Sequence, residues 1–185
     1  MHISKVYLAV TLMLSAPAFS QEPQAYPASV VPDRILLSIG QKPSTEAGLS
    51  WRTDTTVMSA YAELVPAKAS PEADNAVKYP ATLEKLSLPE GSAHYFSVDL
   101  SSLSPNTLYM YRVGDEKNRS EWIQFRTAST GFRPFNFLYV GDAQNEHKTW
   151  WSRTIRAAYS HEPGAAFLLH AGDLINRSNV DREWG

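Results

Sequence analysis

Short stretches of alternating polar and apolar residues, separated by turn-forming residues, fill the chain from about residue 30 to residue 128. Alternation with a period of two is typical of strands that bury one face, and proline, glycine and asparagine between them favour turns. Six or seven short strands in about 100 residues predict a β-sandwich. We expect residues 63–88, with three prolines and little periodicity, to form long loops around one edge strand. The predicted strands are residues 35–39, 49–53, 57–61, 94–100, 108–113 and 121–127.

One local pattern indicates the class of sandwich. Residues 103–111 have the form Leu-x-Pro-x-Thr-x-Tyr-x-Tyr. We expect Tyr109, at the start of a late strand, to bond its hydroxyl back to the preceding turn, as in the tyrosine corner of immunoglobulin-like sandwiches. Trp51, on an earlier strand, is the expected core aromatic. The module resembles a fibronectin type III domain, and these motifs predict structure rather than catalysis.

The pattern changes at about residue 133, where strands and a helix follow one another. Phe135–Val140 and Ala165–Ala171 are nearly continuous apolar runs, which are typical of strands buried on both faces. This strand, helix, strand order predicts one βαβ unit with parallel strands and a right-handed crossover. The segment between the runs, residues 146–160, has apolar residues at helical spacing, namely Trp151, Ile155, Ala158 and Tyr159.

Both apolar runs end in Gly-Asp, at Gly141-Asp142 and at Gly172-Asp173. Because each aspartate directly follows one of two strands predicted to be parallel, we expect both to lie at one edge of the sheet. This carboxyl edge is where ligands bind in parallel sheets. Two carboxylates that converge repel each other unless a cation lies between them, and hard oxygen ligands suit a divalent or trivalent metal. An aspartate after a strand is also a common helix cap or turn former. On the residues alone, both interpretations are open.

A family resemblance bears on this choice. Residues 137–144 are similar to the first motif of the calcineurin-like metallophosphoesterases, and residues 168–174 are similar to their second. A fibronectin-like domain directly before this fold is the arrangement of purple acid phosphatases. The resemblance implies an all-β immunoglobulin/fibronectin III-like sandwich, residues 30–128, followed by the first βαβ unit of an α/β metallophosphoesterase fold, residues 133–185. It implies acid phosphatase activity on phosphate esters, with a dinuclear centre of iron, manganese or zinc.

The resemblance also assigns metal ligands. Asp142 matches the aspartate that binds one metal, and Asp173 matches the aspartate that bridges both. Asn176, a further candidate metal ligand, stands where the purple enzymes have a metal-binding tyrosine, so we expect a protein that is not purple. Gln144 stands where the first motif usually has glycine or histidine. It either supplies a weak amide-oxygen ligand or fills space.

The histidines and the end of the chain complete the comparison with the family. His170 either supports the metal ligands from behind or is a satisfied core histidine. His147 and His161 match no motif position and are predicted to be surface residues. The family's Asn-His pair and its later histidine-bearing segments have no counterpart before residue 185. We therefore expect the catalytic residues to lie beyond this chain, which would be an incomplete N-terminal fragment that is inactive alone.

The N-terminus carries a targeting signal. One lysine, the apolar run Val6–Leu14 and small residues near residue 20 predict a secretory signal peptide over residues 1–20, cleaved after Ser20 or Ala18. The run is shorter than the ~20 apolar residues of a membrane span. Residues 21–29, with two prolines, predict a linker. We expect an exported protein, periplasmic or secreted, with no transmembrane segment after cleavage.

Composition excludes several other functions. The absence of cysteine excludes disulfide scaffolds, cysteine-ligated zinc, iron–sulfur clusters and thiol nucleophiles. A net charge of −2 gives no nucleic-acid-binding signature and no basic surface for anionic membranes. The alternative to a phosphatase is a secreted binding or adhesion module. In that case the sandwich binds a glycan or a protein, and the βαβ part is a degenerate enzyme remnant.

Overall fold

The structure is a computed structural model that describes residues 26–68, 75–88, 91–145 and 147–184. The predicted signal peptide and residues 21–25 of the predicted linker lie outside these described residues. None of the helices in the described ranges combines the length and the apolar character that crossing a membrane requires.

Two four-stranded antiparallel sheets form a β-sandwich, as the alternating pattern predicts. One sheet has the strand order β1-β2-β6-β5, and the other has the order β4-β3-β7-β8. In chain order the strands are β1 (Asp33–Ile39), β2 (Ala47–Thr53), β3 (Tyr61–Pro66), β4 (Val77–Pro80), β5 (Thr82–Leu88), β6 (Gly91–Leu100), β7 (Leu108–Gly114) and β8 (Ile123–Arg126).

The core lies between the two sheets and is built from their inward-facing residues. Trp51 is fully buried and stacks on Phe96 of the neighbouring strand, with ring centroids 5.7 Å apart. The opposite sheet contributes Tyr109, Tyr111 and Val113 to the same cluster. Trp51 is therefore the core aromatic that the sequence predicts.

The tyrosine corner is present. The backbone N–H of Ser104 donates to the Tyr109 hydroxyl at 2.9 Å, so the start of β7 is tied to the turn before it. This contact and the two-sheet arrangement confirm the predicted sandwich, which resembles a fibronectin type III domain.

Two strand predictions are wrong. Residues 57–60 lie outside any strand, and the strand predicted there begins only at Tyr61. Residues 63–88, predicted as loops around one edge strand, contain most of β3 and all of β4 and β5, while residues 69–74 are not described. β4 and β5 are edge strands that are largely exposed. Tyr79 of β4 and Leu83 of β5 pack partly buried against the core, but most other described residues of the two strands are exposed, so their sequence carries little hydrophobic alternation.

A smaller unit follows the sandwich. In it, β9 (Leu138–Val140) and β10 (Leu168–His170) pair in parallel, with Leu138 opposite Leu168. Between them, a π-helical turn over His147–Trp151 leads into the helix α1 (Ser152–His161). A 3₁₀ turn, Asp181–Trp184, ends the described chain.

These strands are shorter and more exposed than their sequence indicates. Tyr139 is 67% exposed, and Leu168 and Leu169 are 42% and 48% exposed. No residue of α1 is fully buried. The expected burial on both faces is therefore absent from the described residues, because two strands and one helix provide too few layers to cover a sheet.

Candidate functional site

The two Gly-Asp turns lie side by side. The Ala171 N–H donates to the Val140 carbonyl at 2.7 Å and continues the pairing of β9 and β10. One step further, the Asp142 N–H donates to the Gly172 carbonyl at 3.2 Å. The turns that carry Asp142 and Asp173 are thus joined at the carboxyl edge of the parallel pair, which is where ligands bind in such sheets.

Both aspartates have an unusual backbone conformation. Asp142 has φ +57° and Asp173 has φ +52°, in the left-handed region that few non-glycine residues adopt. Gly172 has φ +104°, and a Cβ at Gly141 would lie 3.2 Å from the Cβ of Ala171. The glycines permit a sharp turn and a close approach of the two chains. Strained conformations of this kind concentrate at functional sites.

The oxygen donors of the turns suit a hard metal ion, but they form only part of a metal centre. Asp142 and Asp173 are both exposed, and the Gln144 Nε2 donates to Asp142 Oδ1 at 2.9 Å. Within residues 26–68, 75–88, 91–145 and 147–184, no group of three His, Cys, Asp or Glu side chains is placed to hold a metal ion. The described carboxylates therefore need further ligands to complete a site.

Three side-chain contacts link the first turn to the segment after the second. The Asn176 Nδ2 donates to the Gln144 carbonyl and to the Asn145 Oδ1, each at 3.0 Å. The His147 Nε2 donates to the Leu174 carbonyl at 2.6 Å. Asn176, predicted as a metal ligand, thus uses its amide nitrogen to hold the two turns together.

Sequence reasoning missed two of these residues. His147, predicted to be a surface residue, is partly buried and bonds the second turn, whereas His161 is exposed as predicted. Asn145 was not singled out. Its position directly after the first motif is the only signal in the sequence, because its partner Asn176 lies 31 residues away along the chain.

His170 lies beneath the second turn. Its Nδ1 accepts the Gly172 N–H at 3.2 Å, and its ring meets the edge of Trp151 with centroids 5.3 Å apart. Its Nε2 is buried and has no hydrogen-bond partner among the described residues. A buried nitrogen without a hydrogen-bond partner is uncommon in native proteins, so Nε2 of His170 stands out among the buried polar atoms.

Comparison with known proteins adds a family match. The model of the purple acid phosphatase N-terminal domain matches residues 32–127. A search of curated proteins finds no significant match.

Solved structures show weaker likenesses. The fn3 domain of human contactin 1 is 19% identical, with 65% of this chain and 97% of that chain covered and a TM-score of 0.40. The structure of PhoD is 20% identical with a TM-score of 0.49, and the match covers 85% of this chain and 29% of the PhoD chain. The chain thus spans less than a third of the PhoD chain. Both scores are below 0.5, so the sandwich assignment stands on the strand pairing and the tyrosine corner.

The family match includes nearly all of the sandwich. It begins beside Asp33, where β1 starts, and ends just after β8. The tyrosine corner and the buried Trp51 lie inside it. Since the match covers more than half of the 185 residues, the chain belongs to the purple acid phosphatase N-terminal domain family.

Proposed function

We propose that the protein is a metal-dependent hydrolase of phosphate esters, and that Asp142 and Asp173 are two of its metal ligands. The observation that carries the proposal is the hydrogen bond from the Asp142 N–H to the Gly172 carbonyl, which joins the two Gly-Asp turns at one sheet edge. Membership of the purple acid phosphatase N-terminal domain family supports the same activity.

The roles of the two carboxylates follow the motif positions. Asp142 would be a ligand of one metal, and Asp173, at the position of the family's bridging aspartate, would be a ligand of both. A dinuclear centre of iron, manganese or zinc, if held there, would activate water and stabilise charge on the phosphoryl oxygens. The two negative charges also make the edge of the sheet attractive to cations before any substrate binds.

The surrounding side chains orient the carboxylates. The Gln144 amide nitrogen donates to Asp142 Oδ1 and so fixes how this carboxylate faces. Hydrogen bonds of this kind set the direction of a metal ligand and raise its affinity. Gln144 and Asn176 also carry amide oxygens, which are further candidate metal ligands. His170, with its buried Nε2, supports the turn of Asp173 from beneath.

The location and domain organisation follow the sequence prediction. We propose that residues 1–20 export the protein, so that its substrates are phosphomonoesters or phosphodiesters outside the cytoplasm. The sandwich, residues 30–128, and the metallophosphoesterase part, residues 133–185, are the two proposed domains. The described residues of this chain hold too few ligands for a full centre, so the 185-residue chain alone is expected to bind metal weakly and to hydrolyse little substrate.

The test is phosphatase activity of the protein expressed from its complete gene. We expect hydrolysis of p-nitrophenyl phosphate with added Mn²⁺, Zn²⁺ or Fe³⁺. Removal of metal with EDTA should abolish the activity, and added metal should restore it, because the proposed chemistry depends on the metals. Hydrolysis at an unchanged rate after complete metal removal would contradict the proposal. No hydrolysis with any metal would favour the secreted binding module.

A further inference from the structure

Two arginines of the sandwich hold one carboxylate of the segment that follows the second Gly-Asp turn. The Arg34 Nη1 donates to Asp181 Oδ1 at 2.7 Å, and its Nη2 donates to Asp181 Oδ2 at 3.2 Å. The Arg34 Nη2 also donates to the Asp181 carbonyl at 3.0 Å. The Arg52 Nη1 donates to Asp181 Oδ2 at 2.9 Å. Asp181 is thus held by β1 and β2 together, from residues far away in the sequence.

The arginine at the centre of this contact is buried. The Arg52 side chain is 1% exposed, and its Nε and Nη2 donate to the two carboxylate oxygens of Asp33 at 2.8 and 2.6 Å. The hydrogen bonds that Arg52 donates to Asp33 raise the pKa of Arg52 above its usual value, and the charge of Asp181 also raises it. A buried charge that loses a partner is left uncompensated at a large cost. Asp181, together with Asp33, therefore neutralises the buried charge of Arg52.

The backbone of β1 is irregular at Arg34. The pairing of β1 with β2 shifts register between Asp33 and Leu36, which marks a β-bulge. Arg34 lies within the bulge and has φ +48°. A bulge redirects a side chain, and a left-handed conformation at arginine persists only where the surroundings hold it. The bulge is an observation separate from the ion pairs, and it lies at Arg34, which binds Asp181.

The segment that contains Asp181 is also connected to the candidate site. Asp181 begins the 3₁₀ turn eight residues after Asp173. Between them, the Val180 N–H donates to the Arg177 carbonyl at 3.0 Å, and Asn176 reaches back to the first Gly-Asp turn. A short segment with its own hydrogen bonds therefore joins Asp181, which Arg34 and Arg52 bind, to the turn that carries Asp173.

We infer that Arg34, Arg52 and Asp181 are positioning residues through which the sandwich holds the second Gly-Asp turn in place. The sandwich then serves as part of the scaffold of the site rather than as a separate module. The docking of Asp181 stands on the observed contacts alone. The statement that the docked turn binds metal rests on the proposed function.

Hydrogen–deuterium exchange of the 185-residue chain without metal tests the docking. Asp181→Asn is expected to raise amide exchange over residues 171–180 about tenfold, because hydrogen bonds to a charged carboxylate are replaced by weaker ones. Arg34→Gln, 147 residues earlier in the chain, should raise exchange in the same residues. Asp181→Glu keeps the charge and should restore most of the protection. The measurement needs no catalysis, so failure of the phosphatase proposal leaves it unaffected.

The matched control is Glu183→Gln. It makes the same carboxylate-to-amide change in the same turn, but Glu183 bonds Arg177 within its own segment rather than the sandwich. We expect exchange over residues 171–175 to stay within about twofold of the unsubstituted chain. Unchanged exchange in both Asp181→Asn and Arg34→Gln would overturn the inference. A rise in Asp181→Asn that Arg34→Gln does not reproduce would also overturn it, since the effect would then be local.

Discussion

Asp173→Asn should lower kcat/KM for phosphate-ester hydrolysis at least about 100-fold in the protein expressed from its complete gene. Residues that merely support a metal ligand contribute about 10–100-fold, and Asp173 is the proposed bridging ligand itself. The substitution keeps the shape of the side chain, and asparagine adopts the left-handed conformation that Asp173 has at φ +52°. The loss should therefore be in metal content and activity, measured by steady-state kinetics and metal analysis, and not in folding.

Asp99→Asn is the matched control for this substitution. Asp99 is an exposed aspartate of β6, in a different sheet from the parallel pair that carries the Gly-Asp turns. We expect its activity and metal content to stay within about twofold of the unsubstituted protein. If Asp173→Asn behaved as this control does, Asp173 would be a turn former and the proposed metal role would be wrong.

Trp51→Ala should lower the free energy of unfolding of the sandwich by about 3–5 kcal/mol. Trp51 is fully buried and stacks on Phe96, so the truncation removes this stacking contact between β2 and β6 and leaves a cavity. A loss of this size is a large part of the stability of an ordinary domain, about 5–15 kcal/mol. Urea unfolding followed by far-UV circular dichroism measures it, since that signal comes mainly from the backbone and remains after the indole is removed.

Leu36→Ala is the comparison for the core substitution. Leu36 also lies on a strand of the same sheet, but its side chain is 61% exposed. Its truncation should change the free energy of unfolding by no more than about 0.5 kcal/mol. Equal effects of the two substitutions would show that Trp51 is not the centre of the core.

The sandwich was predictable because its signals are local. The Tyr109 hydroxyl accepts a hydrogen bond from a backbone N–H five residues earlier, and Trp51 is a buried residue of an alternating run on β2. The edge strands β4 and β5 were not found, because most of their described side chains are exposed, although Tyr79 and Leu83 pack partly buried against the core. Hydrophobic alternation indicates burial, so it is weak where most side chains of a strand are exposed.

The candidate site was predictable in position but not in detail. Both Gly-Asp turns follow apolar runs, and the parallel pairing of β9 and β10 brings the turns together. The link between Asn145 and Asn176 joins residues 31 apart, and the clamp of Arg34 on Asp181 joins residues 147 apart. No periodicity connects such pairs. They depend on how the parts of the chain dock, which local sequence does not express.

Anomalous diffraction at the manganese edge, from crystals of the protein expressed from its complete gene and grown with Mn²⁺, tests the central claim most directly. The account predicts two manganese peaks about 3.5–4 Å apart, with Asp142 bound to one and Asp173 bound to both. The absence of any manganese peak within about 2.6 Å of either carboxylate, in crystals that contain the metal, would contradict it.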